Sequence, residues 1–388
     1  MSCPACGATL ASVGSVPAKD FDGSIFTFDG QFRHCPACGF TRVETGLSDR
    51  EISRHYAEVS LYVALSGVGV GGDSAQDRAR YAQYLALMRA NRVSEGRHAD
   101  IGCSRGGFVR YLAAQAPAIV STGVDCDARS LAGLAADGFG ALEGDAFALP
   151  FADGEKDVLS YFHVLEHLYD VDSALAEAAR VLKPGGALIV EVPDALGYFQ
   201  PETYVGPMFW LAMKEHVNHF TPRALRHFLR RNGFATVDVL QSRQPMKGDK
   251  HYPSLLLCAR KDAAADIDAA VADGPDFPAA FRRDTAIMQR YAREIAADPS
   301  EPLCFWGIGL EFFALYGYAG PLLAGRQVRL LDRNQTKLGL TVDGRPVEAP
   351  EAAAGQGRLI CCSYMAGPEI REQAMALGWP AESILCLS

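Results

Sequence analysis

Four of the eleven cysteines in this 388-residue chain stand as two Cys-x2-Cys pairs, Cys3 with Cys6 and Cys35 with Cys38, each inside the repeated figure "CPACG". Each pair makes a tight turn that aims two thiolates at one point, and Gly7 and Gly39 let the backbone turn back. Two such turns supply four soft ligands in a tetrahedron, a set that suits structural Zn2+ and leaves no open position for catalysis. The intervening "GSIFTFDGQFRH" alternates apolar and polar residues and reads as a hairpin turning at Asp29-Gly30. Residues 1–45 are expected to form a zinc ribbon, folded by its metal because so small a unit cannot bury a core. The remaining cysteines are scattered through strand-like segments and read as small buried hydrophobes.

A second group of residues sits where strands should end. "DIGCSRGGF" places Asp100, Gly102 and Gly106 in a turn where glycine lets the backbone approach a ligand and a helix start offers free N–H groups. Several nucleotide-binding folds share such a turn. "GVDCD" then brings Asp125 to a strand tip, placed to accept from ribose hydroxyls. "EGDAFALPF" brings Asp145 and Ala146 to a third strand end, where an adenine edge can be read. "SGVGVGGD" lacks a Lys-Ser/Thr and a preceding strand and is not read as a phosphate loop.

Acid–base groups lie further on, in "KEHVNHFTP". His216 titrates near neutral pH and can act as a base, with Glu215 to orient or charge-stabilise it. The competing reading has His216 and His219 capping or packing the helix that starts at Thr221-Pro222. Tyr56 and Tyr62 either reach the cleft or pack at an exposed edge.

The elements that must position these groups follow from pattern. Residues 48–95 read as helices, the first capped by Ser48. From 96 short apolar strands alternate with amphipathic helices: "HADIGC", "STGVDCD", "DVLSYFHVLEHL" running from strand into helix, and "VDSALAEAARVLKPGG" closed by Lys183-Pro184-Gly185-Gly186 before "ALIVEVP". That alternation implies an α/β, doubly wound parallel sheet with ligands at its carboxyl edge. An Ala-, Asp- and Pro-rich linker, "DAAADIDAAVADGPDFP", leads to a smaller α/β unit in which "FWGIG" and Asp332 have the layout of a nucleotide-binding half, or of a unit that only packs. The expected divisions are 1–45 ribbon, 46–95 helical cap, 96–262 core and 263–388 C-terminal unit.

The ordered set Asp100, Asp125, Asp145 and Lys183-Pro184-Gly185-Gly186, with "HVLEHLYDVDSALAEAARVLKPGGALIVEVP", resembles the class I S-adenosylmethionine-dependent methyltransferases from about Asp100 to Glu191. The resemblance implies a Rossmann-like core and S-adenosylmethionine held by Asp100, Gly102, Cys103, Ser104, Gly106, Asp125, Cys126, Asp145, Ala146 and His163. Ser104 stands where many members have glycine. His163 and His167 fall where the superfamily often places a residue beside the methyl group; His163 is expected to line the pocket as a further catalytic candidate and His167 to support from behind. The order ribbon, core and C-terminal unit resembles the zinc-containing C-methyltransferases of nucleotide-linked deoxysugars. There the Glu-His pair serves deprotonation next to a ketone, which implies Glu215 and His216 here. Met213 stands where that family has a tyrosine, and "GIGLEFF" lacks the Lys-Gly-Asn that tends to follow its turn, so O- or N-methylation of another small metabolite stays open.

Composition narrows the class. The chain is 49% hydrophobic and 21% charged with a net charge of −9, a balance that disfavours nucleic acid as partner. Within the ribbon Lys19, Arg33 and Arg42 are offset by Asp20, Asp22, Asp29 and Glu44, against an rRNA-gripping role. A non-catalytic ribbon adaptor is the third reading, opposed by the intact cofactor residues. The longest apolar stretch carries Glu311 and is broken by glycines, so no membrane span is expected, and with no secretory signal the expected location is cytoplasmic.

Overall fold

The structure, a computed structural model, describes residues 1–58, 71–246, 249–263 and 276–387. Tyr62, most of the glycine-rich connection and most of the linker before the C-terminal unit lie outside these residues.

Strands β1 (Ala11–Ala18), β2 (Phe28–His34) and β3 (Thr41–Glu44) form the N-terminal sheet, followed by helices α1 (Asp49–Glu58) and α2 (Ala75–Ala90). Ser48 caps α1 as expected: Glu51 accepts from the Ser48 N–H at 2.8 Å and from its hydroxyl at 2.7 Å. The core then alternates β4 (Gly96–Ile101), α3 (Gly107–Gln115), β5 (Ile119–Asp125), α4 (Ala128–Ala136), β6 (Gly140–Glu143), β7 (Lys156–Phe162), α5 (Val171–Val181) and β8 (Leu182–Pro193). It closes with β9 (Asn218–His219), α6 (Pro222–Arg231), β10 (Phe234–Pro245) and β11 (His251–Lys261).

The seven-stranded sheet has the order β10-β11-β8-β7-β4-β5-β6. Strands β4 to β8 pair in parallel, and β11 joins β8 antiparallel. A strand covered on both faces should be apolar throughout. Ala187, Leu188, Ile189, Val190 and Val192 of β8 obey this at 0% exposure, and Glu191 among them is equally buried. A charge there requires partners. Helix α5 lays Val171, Ala174, Leu175, Ala178 and Val181 on the sheet at helical spacing.

The C-terminal unit comprises α7 (Phe277–Ala297), β12 (Leu303–Trp306), α8 (Leu310–Ala319), β13 (Val328–Leu331), β14 (Thr341–Val342), β15 (Arg345–Glu348), β16 (Arg358–Cys361), α9 (Gly367–Ala376) and β17 (Ile384–Cys386). Its sheet runs β14-β15-β13-β12-β16-β17, with a parallel centre.

Three local expectations are corrected. Asp29-Gly30 is not the hairpin turn; both residues lie inside β2, opposite Pro17 and Val16. Gly30 is needed because a Cβ there would sit 2.9 Å from Val43 Cγ1 on the neighbouring strand. "DVLSYFHVLEHL" does not run into a helix: only one 3-10 turn, Leu165–His167, follows, and α5 begins after the Asp170 cap. Lys183-Pro184-Gly185-Gly186 opens β8 rather than closing α5.

Candidate active site

Beyond β4 the chain turns through three left-handed residues, Gly102 (φ 71°), Ser104 (φ 49°) and Gly106 (φ 71°). A Cβ on Gly102 would lie 2.5 Å from Val164 Cγ2, so only glycine fits between this turn and the segment after β7. Asp125, at the tip of β5, accepts from the Ser104 N–H at 2.7 Å and the Asp127 N–H at 2.9 Å. Each of its oxygens keeps a lone pair for a further donor such as a ribose hydroxyl. Asp145 accepts from the Phe147 N–H at 2.7 Å. Asp100, Asp125 and Asp145 thus stand in a row along the carboxyl edge of three adjacent strands, β4-β5-β6.

Asp100 itself faces inward. It is buried and accepts from Ser160 Oγ at 2.6 Å. Burial pushes its carboxyl up to about 7. His98 lies behind it between Ser160 Oγ at 2.8 Å and Ser121 Oγ at 2.7 Å, and burial holds it neutral, down at about 3. Burial raises the thiols of Cys103 and Cys126, the latter to about 12. Both are neutral small side chains against the turn. Ala146 packs against the core beside Asp145.

At the end of β7, His163 adopts φ 58°, a conformation that is uncommon for a side-chain-bearing residue and that persists only where neighbours impose it. Its Nε2 is 2.9 Å from Glu191 Oε2 and its Nδ1 3.2 Å from Glu166 Oε1, with the Tyr252 hydroxyl also 3.2 Å from Nδ1. Tyr84 and Ser254 donate their hydroxyls to Glu191. Arg80, buried on α2, lies over the Tyr252 ring. Burial works against a charge on His163, but the Glu191 and Glu166 carboxylates outweigh it and lift the imidazole to about 9. Sequence reasoning missed Glu191 and Glu166. Their one signal was a glutamate amid the buried apolar residues of "ALIVEVP" and another between two histidines in "HVLEH".

His216 sits one turn of chain before β9, with its Nδ1 buried and without a hydrogen-bond partner. Burial, with His167, His219 and His163 nearby, holds it well below the usual histidine range, so it is unprotonated. Its ring meets that of His167 edge to face at 4.9 Å. His167 Nδ1 lies 3.0 Å from the Glu215 carbonyl and 3.1 Å from the Tyr56 hydroxyl. Glu215 therefore reaches this pair through its backbone. The carboxylate with an oxygen within 4.8 Å of both imidazoles is that of Glu166. His219 belongs to the packing reading: it is buried, lies 3.1 Å from the Tyr198 hydroxyl, stacks on Phe32 and is pushed down to about 3 by burial.

A pocket opens beside His216, walled by Phe28 and Phe32 of the N-terminal sheet, Met213 and Lys214 of the preceding loop, and Phe313 of α8. Lys214 is paired with Asp20 at 2.5 Å and lies over the Phe313 ring. All three parts of the chain contribute to this pocket.

The four N-terminal cysteines converge as expected. Sγ of Cys3 is 3.7 Å from that of Cys38, Cys6 is 3.5 Å from Cys35, and all four lie within 4.8 Å of one another. A tetrahedron with Zn–S bonds of about 2.3 Å has edges of about 3.8 Å, so the donor set fits Zn2+. Gly7 and Gly39 take φ 79° and 76° and donate to the carbonyls of Cys3 and Cys35.

In the C-terminal unit Asp332 accepts from Ile308 N–H at 2.9 Å, Asn334 N–H at 2.8 Å and Lys337 Nζ at 2.9 Å. Oδ2 takes two of these donors and Oδ1 one, which leaves Oδ1 a lone pair.

Residues 74–239 match the family described as methyltransferase domain. A malonyl-[acyl-carrier protein] O-methyltransferase of Methylococcus capsulatus is 32% identical over 207 residues, 51% of this chain and 72% of that protein. A probable S-adenosylmethionine-dependent methyltransferase of Mycolicibacterium smegmatis is 29% identical, across 45% of this chain and 65% of that protein. Among solved structures, the 1,6-didemethyltoxoflavin-N1-methyltransferase of Burkholderia thailandensis covers 59% of this chain and 97% of its own, with a TM-score of 0.45 at 18% identity. The chain belongs to the class I S-adenosylmethionine-dependent methyltransferases. The enzyme is a methyltransferase with S-adenosylmethionine as donor, and no described helix is long and apolar enough to cross a membrane.

Proposed function

We propose that the protein methylates a small molecule seated in the pocket beside His216, and that His216 takes the proton the acceptor gives up. One observation carries this reading: His216 forms part of an apolar pocket wall with its Nδ1 buried and without a hydrogen-bond partner, an acceptor open to the proton. When bound, S-adenosylmethionine supplies a methyl group on a sulfonium, open to in-line displacement. The chain's own work is to hold both partners in register. The glycine turn and the Asp125 carboxylate cradle the adenosyl portion, the aromatic walls seat the acceptor, and His216 holds the proton while the new bond forms. His163 is held as an imidazolium between two carboxylates and serves to shape the wall between the two halves rather than to move a proton. The four-cysteine cluster is read as structural zinc.

An acceptor carbon next to a ketone needs such a base, as in the nucleotide-linked keto-deoxysugars suggested by the family resemblance. The second reading, an O–H acceptor on another small metabolite, is favoured by likeness to a protein named as an O-methyltransferase.

The test is calorimetry with S-adenosylhomocysteine, followed by radiolabelled methyl transfer to a panel of keto-sugar, hydroxyl and amine acceptors. His216→Gln should leave the S-adenosylhomocysteine affinity within about twofold and lower kcat by about 10²–10⁴-fold, the range of general-base catalysis. Full turnover by that variant would remove His216 from the chemistry.

A further inference from the structure

The N-terminal sheet does not end with its own three strands. Its order is β1-β2-β3-β9, and β9 is the pair Asn218–His219, two residues beyond His216. Thr41 pairs with His219 and Arg42 with Asn218, and the Val43 N–H donates to the Val217 carbonyl at 2.9 Å. Side chains repeat the link. Arg42 donates to Asn218 Oδ1 from Nε at 3.2 Å and from Nη2 at 3.1 Å, and Nη2 also reaches the Tyr169 carbonyl at 2.7 Å.

The second cysteine knuckle continues it. Thr221 Oγ1 donates to the Cys38 carbonyl at 2.6 Å, and a Cβ on Gly39 would meet Thr221 Cγ2 at 2.7 Å. Thr221 also accepts from the Ala224 N–H as the cap of α6. The segment from Val217 to Thr221 is thus gripped from the ribbon at both ends. Between them the core is also bonded: Phe220 through the Ala195 N–H at 2.8 Å and a bridge to Asp194, Asn218 Nδ2 by donating to the Leu165 and Leu168 carbonyls at 3.2 and 2.5 Å, and His219 through the Tyr198 hydroxyl at 3.1 Å. Among the described residues the cofactor turn has no such tie: its contacts run to Val124, Asp125, Leu134, Val164 and Gly71.

From this we infer that the ribbon is a positioning element for the acceptor half of the site, so that gathering Cys3, Cys6, Cys35 and Cys38 on one metal sets where His216 stands while the cofactor half stands on the other sheet. The inference rests on reading the cysteines as a zinc site and His216 as the base. The ribbon has little core of its own, so what closes its knuckles also fixes β3, and β3 carries β9. Thr221 and Arg42 are positioning residues in this scheme.

Amide-exchange mass spectrometry on the full chain, saturated with S-adenosylhomocysteine, tests it in three samples: zinc-loaded protein, protein stripped with 1,10-phenanthroline, and an Arg42→Ala/Thr221→Val variant that keeps all four cysteines. Stripping and the double variant should each speed exchange at 217–219 at least tenfold. Exchange at 98–107 and calorimetric affinity for S-adenosylhomocysteine should stay within twofold, and the variant should retain one zinc per chain by atomic absorption. Unchanged exchange at 217–219 in the variant overturns the proposal. So does loosening of 98–107 in step with it, or collapse of the whole chain on stripping, because either makes the metal a prop of the entire fold. Purified protein without zinc would refute the metal reading alone, and the variant would still decide whether the ribbon strand holds the segment.

Discussion

His163 Nε2 lies 2.9 Å from Glu191 Oε2 at the point where β7 ends beside β8. The backbone repeats the contact, since the His163 N–H donates to the Glu191 carbonyl at 2.9 Å. With Glu166 3.2 Å from the other ring nitrogen, the imidazole has a carboxylate on each side.

That arrangement makes stability depend on pH at both ends. Although burial opposes it, the carboxylates raise His163 from 6.5 to about 9. Its contribution is fully present below pH 6.5 and is lost as pH rises towards 9. Glu191 is displaced the other way: burial alone would raise it, but His163 and Arg80 bring it down to about 2 from 4.5. Its contribution is present above 4.5 and lost as pH falls towards 2. Glu191→Gln should lower Tm at pH 7, since breaking one side of a buried pair costs about 3–5 kcal/mol. It should also flatten the decline in Tm between pH 6.5 and 9. A variant whose alkaline decline matches wild type would show that this pair does not set it.

Asp100 predicts a slope of the same sign as that of His163 and opposite to that of Glu191. Its carboxyl is raised from 3.8 to about 7 by burial, so between those values the folded state holds a proton that the unfolded chain has released. Stability therefore falls as pH rises through that window. Asp100→Asn keeps an acceptor for Ser160 and removes the titration. It should melt higher than wild type at pH 8 and no higher at pH 4. Thermal scans at the two values decide this, and equal Tm differences at both would count against a buried, proton-holding Asp100.

The parts of this site that local spacing encodes were legible, and the parts assembled across the sheet were not. The turn within each Cys-x2-Cys knuckle, the left-handed glycine turn and the place of Asp125 at a strand tip each arise within a few residues of chain, so this geometry can be read from a short window. The cluster around His163 draws Arg80 and Tyr84 from α2, Glu191 from β8 and Tyr252 and Ser254 from β11. Nothing in any one of those segments points to the others. Gly30 shows the converse error: Asp-Gly looks like a turn in sequence, but the glycine answers to Val43 on a strand that comes later. Glu215 shows a third, since its neighbour in sequence is His216 but its contact with the histidine pair is through a carbonyl, and the nearby carboxylate is that of Glu166.

Asp125 binds the glycine turn and, in the proposed reading, the methyl donor as well. Removing its side chain leaves the Ser104 and Asp127 N–H groups without an acceptor, at a cost of about 1–3 kcal/mol for each that stays buried. Asp125→Ala should weaken S-adenosylhomocysteine binding at least tenfold by calorimetry, whereas Asp332→Ala, in the C-terminal unit, should change it less than twofold. Equal losses would mean that the donor is not held at the edge of the central sheet.

Gly102 separates two causes that act at one residue. Alanine there must adopt φ near 71°, and its Cβ would meet Val164 Cγ2 at 2.5 Å. The backbone cost of a left-handed alanine is about 1–2 kcal/mol and cannot be relieved by any neighbour. Overpacking adds about 1–3 kcal/mol and can be. Gly102→Ala should therefore lower stability by the sum of both, and adding Val164→Ala should recover the packing part while leaving the backbone part. Chemical denaturation of the two single variants and the double variant gives the coupling directly. If the effects simply add, Val164 is not what forbids a side chain at this turn, and the apposition of the turn and the segment after β7 would need another explanation.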